Sequence, residues 1–259
     1  MSIFEAVLLG LVQGITEFLP VSSSGHLVVL EHLWKLPAES RLPLATMLHG
    51  ATVLAVIFYF APLLARLIRG LWARDAEWRS SSRRMVGFVV LASIPAGIVG
   101  VAFGDLIDRA FSSPLLVGLM LLVTGGVLFG TRYARPRSET GGIKALLVGV
   151  AQAIAVLPGI SRSGATIASG LYFGMERKQA FEFSFLLAVP AITGAFLMEV
   201  RKVDLAVLNP TALAAGMVTA FAAGLAALYL LGRVVVGKKL HWFAFYCWLA
   251  GLAVILFVR

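Results

Sequence analysis
Apolar residues run along this chain in blocks of membrane-spanning length, and polar residues either fill the gaps or break the blocks at two matching places. Three uninterrupted blocks lie near Leu44–Leu64, Met85–Phe103 and Pro114–Thr131, and three more near Phe181–Val200, Thr211–Leu231 and Leu240–Val258. Each approaches the roughly 20 residues that a helix needs to cross about 30 Å of hydrocarbon. A less regular apolar stretch precedes each set of three. Ile3–Leu19 is interrupted by Gly10, Gln13, Gly14, Thr16 and Glu17, breaks at Pro20, and resumes as a short run from His26 to Leu36. Ile143–Phe173 is interrupted in the same way and breaks at Pro158. Neither stretch makes a clean span, so a pair of half-helices that dips in and returns fits better. Such broken backbone is tolerated at membrane depth only where protein or a polar cavity surrounds it. The predicted fold class is an all-α integral membrane protein, with one membrane domain over residues 1–259.

The two broken stretches are in register. Gln13-Gly-Ile-Thr-Glu-Phe-Leu-Pro-Val-Ser-Ser-Ser-Gly-His26 aligns with Gln152-Ala-Ile-Ala-Val-Leu-Pro-Gly-Ile-Ser-Arg-Ser-Gly-Ala-Thr166 at a spacing of 139 residues, for Gln13 with Gln152 and for Gly25 with Gly164 alike. At that spacing Ser22 faces Ser161, Ser23 faces Arg162, and Ser24 faces Ser163. Glu17 faces Val156 and His26 faces Ala165, so one copy carries a carboxylate and an imidazole, the other a guanidinium. This is the sequence pattern of an internal duplication, repeat one about 1–135 and repeat two about 140–259. Each half holds a re-entrant broken helix pair plus three transmembrane helices. Because three spans is an odd number, the second repeat is expected inverted in the membrane.

Composition agrees with a bilayer environment: 59% of residues are hydrophobic, only 14% are charged, and the mean hydropathy is +0.92. The net charge of +9 does not imply nucleic acid, because the basic residues sit between apolar blocks rather than on one soluble face. Placing the Arg66–Arg84 loop in the cytoplasm puts most of the 22 lysines and arginines inside. That is the positive-inside arrangement, with both termini outside. The first broken pair then enters from outside and the second from the cytoplasm, so their tips meet near the midplane. Cys247 stands alone, which excludes a disulfide framework and a cysteine metal site. No removable signal peptide is expected from Met1-Ser-Ile-Phe-Glu.

Glu17, His26 and Arg162 are the polar residues most out of place in this apolar setting. An ionisable group at membrane depth costs at least ~2.5–3.5 kcal/mol, so each is a candidate functional residue, although a purely structural Glu17–Arg162 pair is the simpler alternative. After each proline the chain restarts through Ser22, Ser23, Ser24 and Gly25, or through Ser161, Arg162, Ser163 and Gly164. Helix N-termini with free N–H groups and serine hydroxyls attract anions, and Arg162 can fork onto a phosphate. The plainer reading is that these serines are ordinary N-caps. Glu17 lies one helical turn after Gln13, so both face one side. A carboxylate beside a phosphate calls for a proton or a cation. A divalent ion such as Mg²⁺ or Ca²⁺, held by Glu17 and Gln13 with phosphate oxygens, meets that need. His26 suits a base or nucleophile near neutral pH. His49 either lines the cavity or packs between helices.

Glu17-Phe-Leu-Pro-Val-Ser-Ser-Ser-Gly-His26 and Pro158-Gly-Ile-Ser-Arg-Ser-Gly-Ala-Thr166 resemble the two signature motifs of the undecaprenyl-diphosphatase family, the bacitracin-resistance type. The likeness extends over essentially the whole chain. It implies a multi-pass enzyme of the bacterial plasma membrane that hydrolyses undecaprenyl diphosphate to the monophosphate and inorganic phosphate. That reaction recycles the lipid carrier for cell-wall synthesis and gives bacitracin resistance. By the resemblance, Glu17, Ser23, His26, Ser161, Arg162 and Thr166 are catalytic and phosphate-binding positions, in a site opening to the extracytoplasmic side. Gln13 stands where many members have Glu. Three routes remain open: attack by Ser23 with His26 as base, direct attack by His26, or a water that His26 activates. The expected partners are a polyprenyl diphosphate and membrane lipids, not nucleic acid, with a homo-oligomer allowed. Inverted repeats with broken helices also serve transporters, so a polyprenyl-phosphate flippase or anion carrier is the alternative.

Overall fold
The computed structural model describes residues 2–23, 25–27, 38–104, 106, 110, 113–135 and 140–257. Ten α-helices are described: α1 Ile3–Phe18, α2 Ala38–Tyr59, α3 Ala61–Gly70, α4 Ala76–Ala102, α5 Pro114–Gly130, α6 Gly142–Ile154, α7 Arg162–Tyr172, α8 Arg177–Glu199, α9 Pro210–Val236 and α10 Phe243–Phe257. Among the described residues there is no strand. Among the described residues six stretches are long and apolar enough to cross a membrane: Glu39–Tyr59, Ala76–Ala102, Pro114–Tyr133, Arg177–Glu199, Pro210–Val236 and Leu240–Phe257. The chain is an all-α integral membrane protein.

Each expected span is present, with boundaries set by local chemistry. The first stops at Tyr59, because Phe60 leaves the helical geometry and Pro62 restarts the chain as α3. The second begins nine residues before Met85: Asp75 caps α4 through a hydrogen bond to Trp78 N at 2.6 Å, and the polar turns that follow lie outside the apolar block. The stretch expected as an Arg66–Arg84 loop is therefore mostly helix around a short turn. Of the His26–Leu36 run, residues 28–36 lie outside the described residues.

Three of the expected half-helices are among the described residues: α1, α6 and α7. Ser2 and Glu5 close a capping box at the start of α1, and Leu19 is extended before Pro20, which ends the helix at Phe18. Phe18 is fully buried and packs edge-on against Phe185 at 5.8 Å, within a cluster that includes Phe60 and Phe181. This anchors the end of α1, and with it Glu17, in the core. At the second break Gly159 adopts φ +92°, and an added Cβ would come within 2.4 Å of the Val117 carbonyl oxygen, so no larger residue fits that turn.

Helix pairings recur between the halves. The half-helix α1 packs along α9, and α6 packs along α4. Both contacts are made by glycines 139 residues apart: a Cβ on Gly10 would lie 2.2 Å from the Gly216 carbonyl oxygen, and one on Gly149 would lie 2.3 Å from that of Ala92. Close backbone approach through small residues is how membrane helices gain packing energy without a hydrophobic drive. Between α5 and α10 the crossing point is Gly118 against Gly251, each facing the other's carbonyl oxygen.

Candidate active site
The ends of α1 and α7 bring the two broken stretches together. A Cβ on Gly164 would touch Pro20 Cβ at 3.2 Å, so the two chain breaks are in contact. Arg162 Nη2 donates to Glu17 Oε1 at 2.8 Å, with the side chains 16% and 8% exposed. Glu17 Oε2 accepts from the Ser23 hydroxyl at 2.7 Å and from Gln13 Nε2 at 3.2 Å, and His49 Nε2 stands 3.6 Å away. Ser23 and Arg162 occupy matching positions of the two stretches, so one carboxylate is gripped from both. His49, whose role the sequence leaves open, sits at this carboxylate, with its Nδ1 on the Ala45 carbonyl at 2.8 Å.

Two buried polar atoms here have no hydrogen-bond partner among the described residues: Arg162 Nη1 and Gln13 Oε1. A buried unpaired donor of a guanidinium is costly, and it is of the kind an anion satisfies. The amide nitrogen of Gln13 faces Glu17, and its unpartnered Oε1 is an oxygen of the kind a hard cation takes. Glu17 and Gln13 are the oxygen-bearing side chains here that would hold a Mg²⁺- or Ca²⁺-type ion. Among the described residues no three His, Cys, Asp or Glu side chains cluster as a self-contained metal cage.

The other candidate residues fall around this centre. Ser161 is the N-cap of α7: its Oγ accepts from Gly164 N at 3.1 Å and lies 3.2 Å from Ser163 Oγ. Thr166 is buried, donates to the Arg162 carbonyl at 2.8 Å and lies 2.6 Å from Ser184 Oγ. These hydroxyls are spent inside the protein, where they set the first turn that carries Arg162. Ser22 has φ +66°, a left-handed conformation that costs a residue with a Cβ ~1–2 kcal/mol. Ser24 lies outside the described residues. Gly25 packs toward Val117, where an added Cβ would meet Cγ1 at 3.3 Å.

His26 is not joined to this carboxylate. Its Nδ1 lies 2.8 Å from the Ser22 carbonyl oxygen and its Nε2 lies 2.6 Å from the Tyr246 hydroxyl. The Ser23 hydroxyl, expected on His26 in one of the three routes, is instead donated to Glu17.

Two further residues hold the breaks, and neither belongs to a motif. Thr124 on α5 donates to the Gly159 carbonyl at 3.0 Å and accepts from Ser161 N at 3.2 Å. Cys247 on α10 donates to the Pro20 carbonyl at 3.3 Å. Pro20 and Gly159 are 139 residues apart, so the last span of each half clasps the equivalent carbonyl of the other. Only the spacing of the copies hinted at such reciprocity, and nothing around Thr124 or Cys247 in the sequence marks them.

A sequence model of the bacitracin resistance protein BacA family matches residues 6–253. The chain belongs to this family. Curated relatives named undecaprenyl-diphosphatase are similar over nearly full length. The protein of Desulfatibacillum aliphaticivorans is 43% identical over 97% of both chains. Those of Syntrophotalea carbinolica and Parabacteroides distasonis are each 41% identical, over 97% and 98% of both chains. BacA membership agrees with the resemblance carried by the two motifs.

Proposed function
We propose that this protein is an undecaprenyl-diphosphate phosphatase, releasing inorganic phosphate and leaving the monophosphate carrier for another round of cell-wall synthesis. The observation that carries this reading is the buried Arg162 guanidinium at the meeting of the two breaks, with Nη1 unpartnered beside a carboxylate that already holds a serine hydroxyl. Phosphoryl transfer needs positioning and charge stabilisation more than covalent help from the protein. Arg162 supplies a fork for the equatorial oxygens of the terminal phosphate. Ser161, Thr166 and Thr124 fix the turn that aims it. The Ser23–Glu17 hydrogen bond favours Ser23 as nucleophile. Glu17 takes its proton as Oγ attacks the terminal phosphorus, and the bond to the carrier monophosphate breaks. A water activated by His26 then hydrolyses the phosphoserine to inorganic phosphate. A divalent cation on Glu17 and Gln13 would supply charge neutralisation for the leaving phosphate.

The relatives named as phosphatases favour hydrolysis over the flippase alternative, as does the concentration of Glu17, Ser23 and His26 in one copy only. The two-repeat organisation, about 1–135 and 140–259 and inverted in the membrane, is supported by the matched glycine contacts and the reciprocal clasps. The basic bias of the loops supports a site opening to the extracytoplasmic face of a bacterial plasma membrane.

The test is phosphate release from a C15 or C55 prenyl diphosphate by purified protein in detergent, with Mg²⁺ or Ca²⁺ and then with chelator, beside Glu17→Ala and Arg162→Ala. Metal-dependent release lost in both variants supports the assignment. A folded wild type that binds the substrate without turnover overturns it.

A further inference from the structure
Tyr246 lies on α10, 220 positions from His26 and outside both motifs, yet it completes the hydrogen bonding of the imidazole. The Ser22 carbonyl can only accept, so the His26 Nδ1 2.8 Å away carries the proton. Nε2 of the neutral ring is then an acceptor, and the Tyr246 hydroxyl donates to it at 2.6 Å. The rings are nearly parallel, 11° between planes and 5.7 Å between centroids, so rotation as well as tautomer is held. The next residue, Cys247, fastens the same helix to the Pro20 carbonyl, and α10 therefore grips the first break at two points. Tyr246 is also one of the residues lining a cavity of about 460 Å³ with largely apolar walls, beside Ile15, Thr16, Leu19, Trp242 and Phe243.

We infer that Tyr246 is a positioning residue of the phosphatase site, acting through His26: its hydroxyl keeps the imidazole neutral, in the Nδ1–H tautomer, with Nε2 as its one acceptor nitrogen. The inference rests on the phosphatase reading and on a role for His26 in it. Ring and hydroxyl separate cleanly in this arrangement. Tyr246 lines the apolar groove and its ring lies beside that of His26, whereas only the hydroxyl is hydrogen-bonded to the imidazole. Removing the hydroxyl alone leaves the groove intact and releases the imidazole.

The experiment is Tyr246→Phe in the full-length protein in detergent, read in two ways. In steady-state phosphate release, kcat falls about tenfold, the order expected for one lost hydrogen bond, while KM stays within twofold. In protein labelled with ¹⁵N-histidine, the His26 signal, assigned by its loss in His26→Ala, shows a single Nδ1–H tautomer in the wild type. In Tyr246→Phe it becomes a mixture of Nδ1–H and Nε2–H. A purely packing role for the tyrosine moves neither readout, because phenylalanine keeps the ring. An unchanged or raised kcat, or a wild-type His26 in the Nε2–H form, overturns the inference. A wild type that releases no phosphate overturns the phosphatase reading instead, and the tautomer then still decides whether Tyr246 governs His26.

Discussion

Arg162 and Glu17, 145 positions apart in the chain, share a hydrogen-bonded ion pair of 2.8 Å at the contact between two helix breaks. Each side chain is mostly buried, so each is tolerated there because of the other. Removing one partner of such a pair strands a charge and costs ~3–5 kcal/mol. Glu17→Ala and Arg162→Ala are each expected to lower stability in detergent by about that amount, and the double variant by clearly less than the sum. Denaturant titration of the three variants measures the coupling.

Turnover should respond more steeply than stability to the loss of Arg162. Losing a preorganised donor to the transition state costs ~10²–10³ in kcat. Arg162→Lys keeps the charge and loses the fork, so it should recover only part of the rate. Phosphate release at saturating substrate checks both, with Arg162→Lys falling between wild type and Arg162→Ala.

Gln13 donates its amide N–H to Glu17 and keeps a neutral, unpartnered oxygen. Gln13→Glu adds a charged ligand, and cation affinity rises with ligand charge. The concentration of Mg²⁺ or Ca²⁺ giving half-maximal turnover should therefore fall several-fold. A metal titration of turnover in the two proteins, after chelator treatment, reads this directly.

Thr124 makes two hydrogen bonds with one hydroxyl, to the Gly159 carbonyl and from Ser161 N. Thr124→Val keeps the shape and leaves both backbone groups unpaired, at ~1–3 kcal/mol each. Stability should drop accordingly, and kcat should fall as well, because the turn that aims Arg162 loosens. A melting curve and a rate on the same preparation separate the two effects.

At Gly10 an added methyl would sit 2.2 Å from the Gly216 carbonyl oxygen, and at Gly149 2.3 Å from that of Ala92. Both contacts are with backbone and have no flexible side chain to yield. Gly10→Ala and Gly149→Ala should each cost ~1–3 kcal/mol, as overpacked sites do. Gly126→Ala, which has open space around it, serves as the control and should be neutral. Thermal unfolding in detergent compares the three.

The six spans and the described half-helices were legible because hydropathy and chain breaks are local properties, whereas the meeting of Glu17 with Arg162 was expected only from the duplication of the two breaks at one spacing. A run of about 20 apolar residues has few alternatives to a membrane helix, and a proline among hydroxyl residues marks a restart wherever it occurs. Helix starts were less legible. The polar first turns of α4 carry no apolar signal, so its N-terminus at Ala76 is visible only through the Asp75 cap.

The partners inside the site were decided by tertiary structure. Sequence pattern placed Ser23 and His26 three residues apart and allowed them to act together. The packing instead sends the Ser23 hydroxyl to Glu17 and the His26 ring to Tyr246. Ser161 and Thr166, expected at the phosphate, also cap and brace the Arg162 turn. What the chain determined alone was its solvent, its helices and the residues too polar for their surroundings, since these follow from composition over short windows. Which of those residues touch depended on helices more than 100 residues apart approaching through glycines such as Gly10 and Gly118. That approach is a property of packed surfaces, and no local stretch of sequence encodes it.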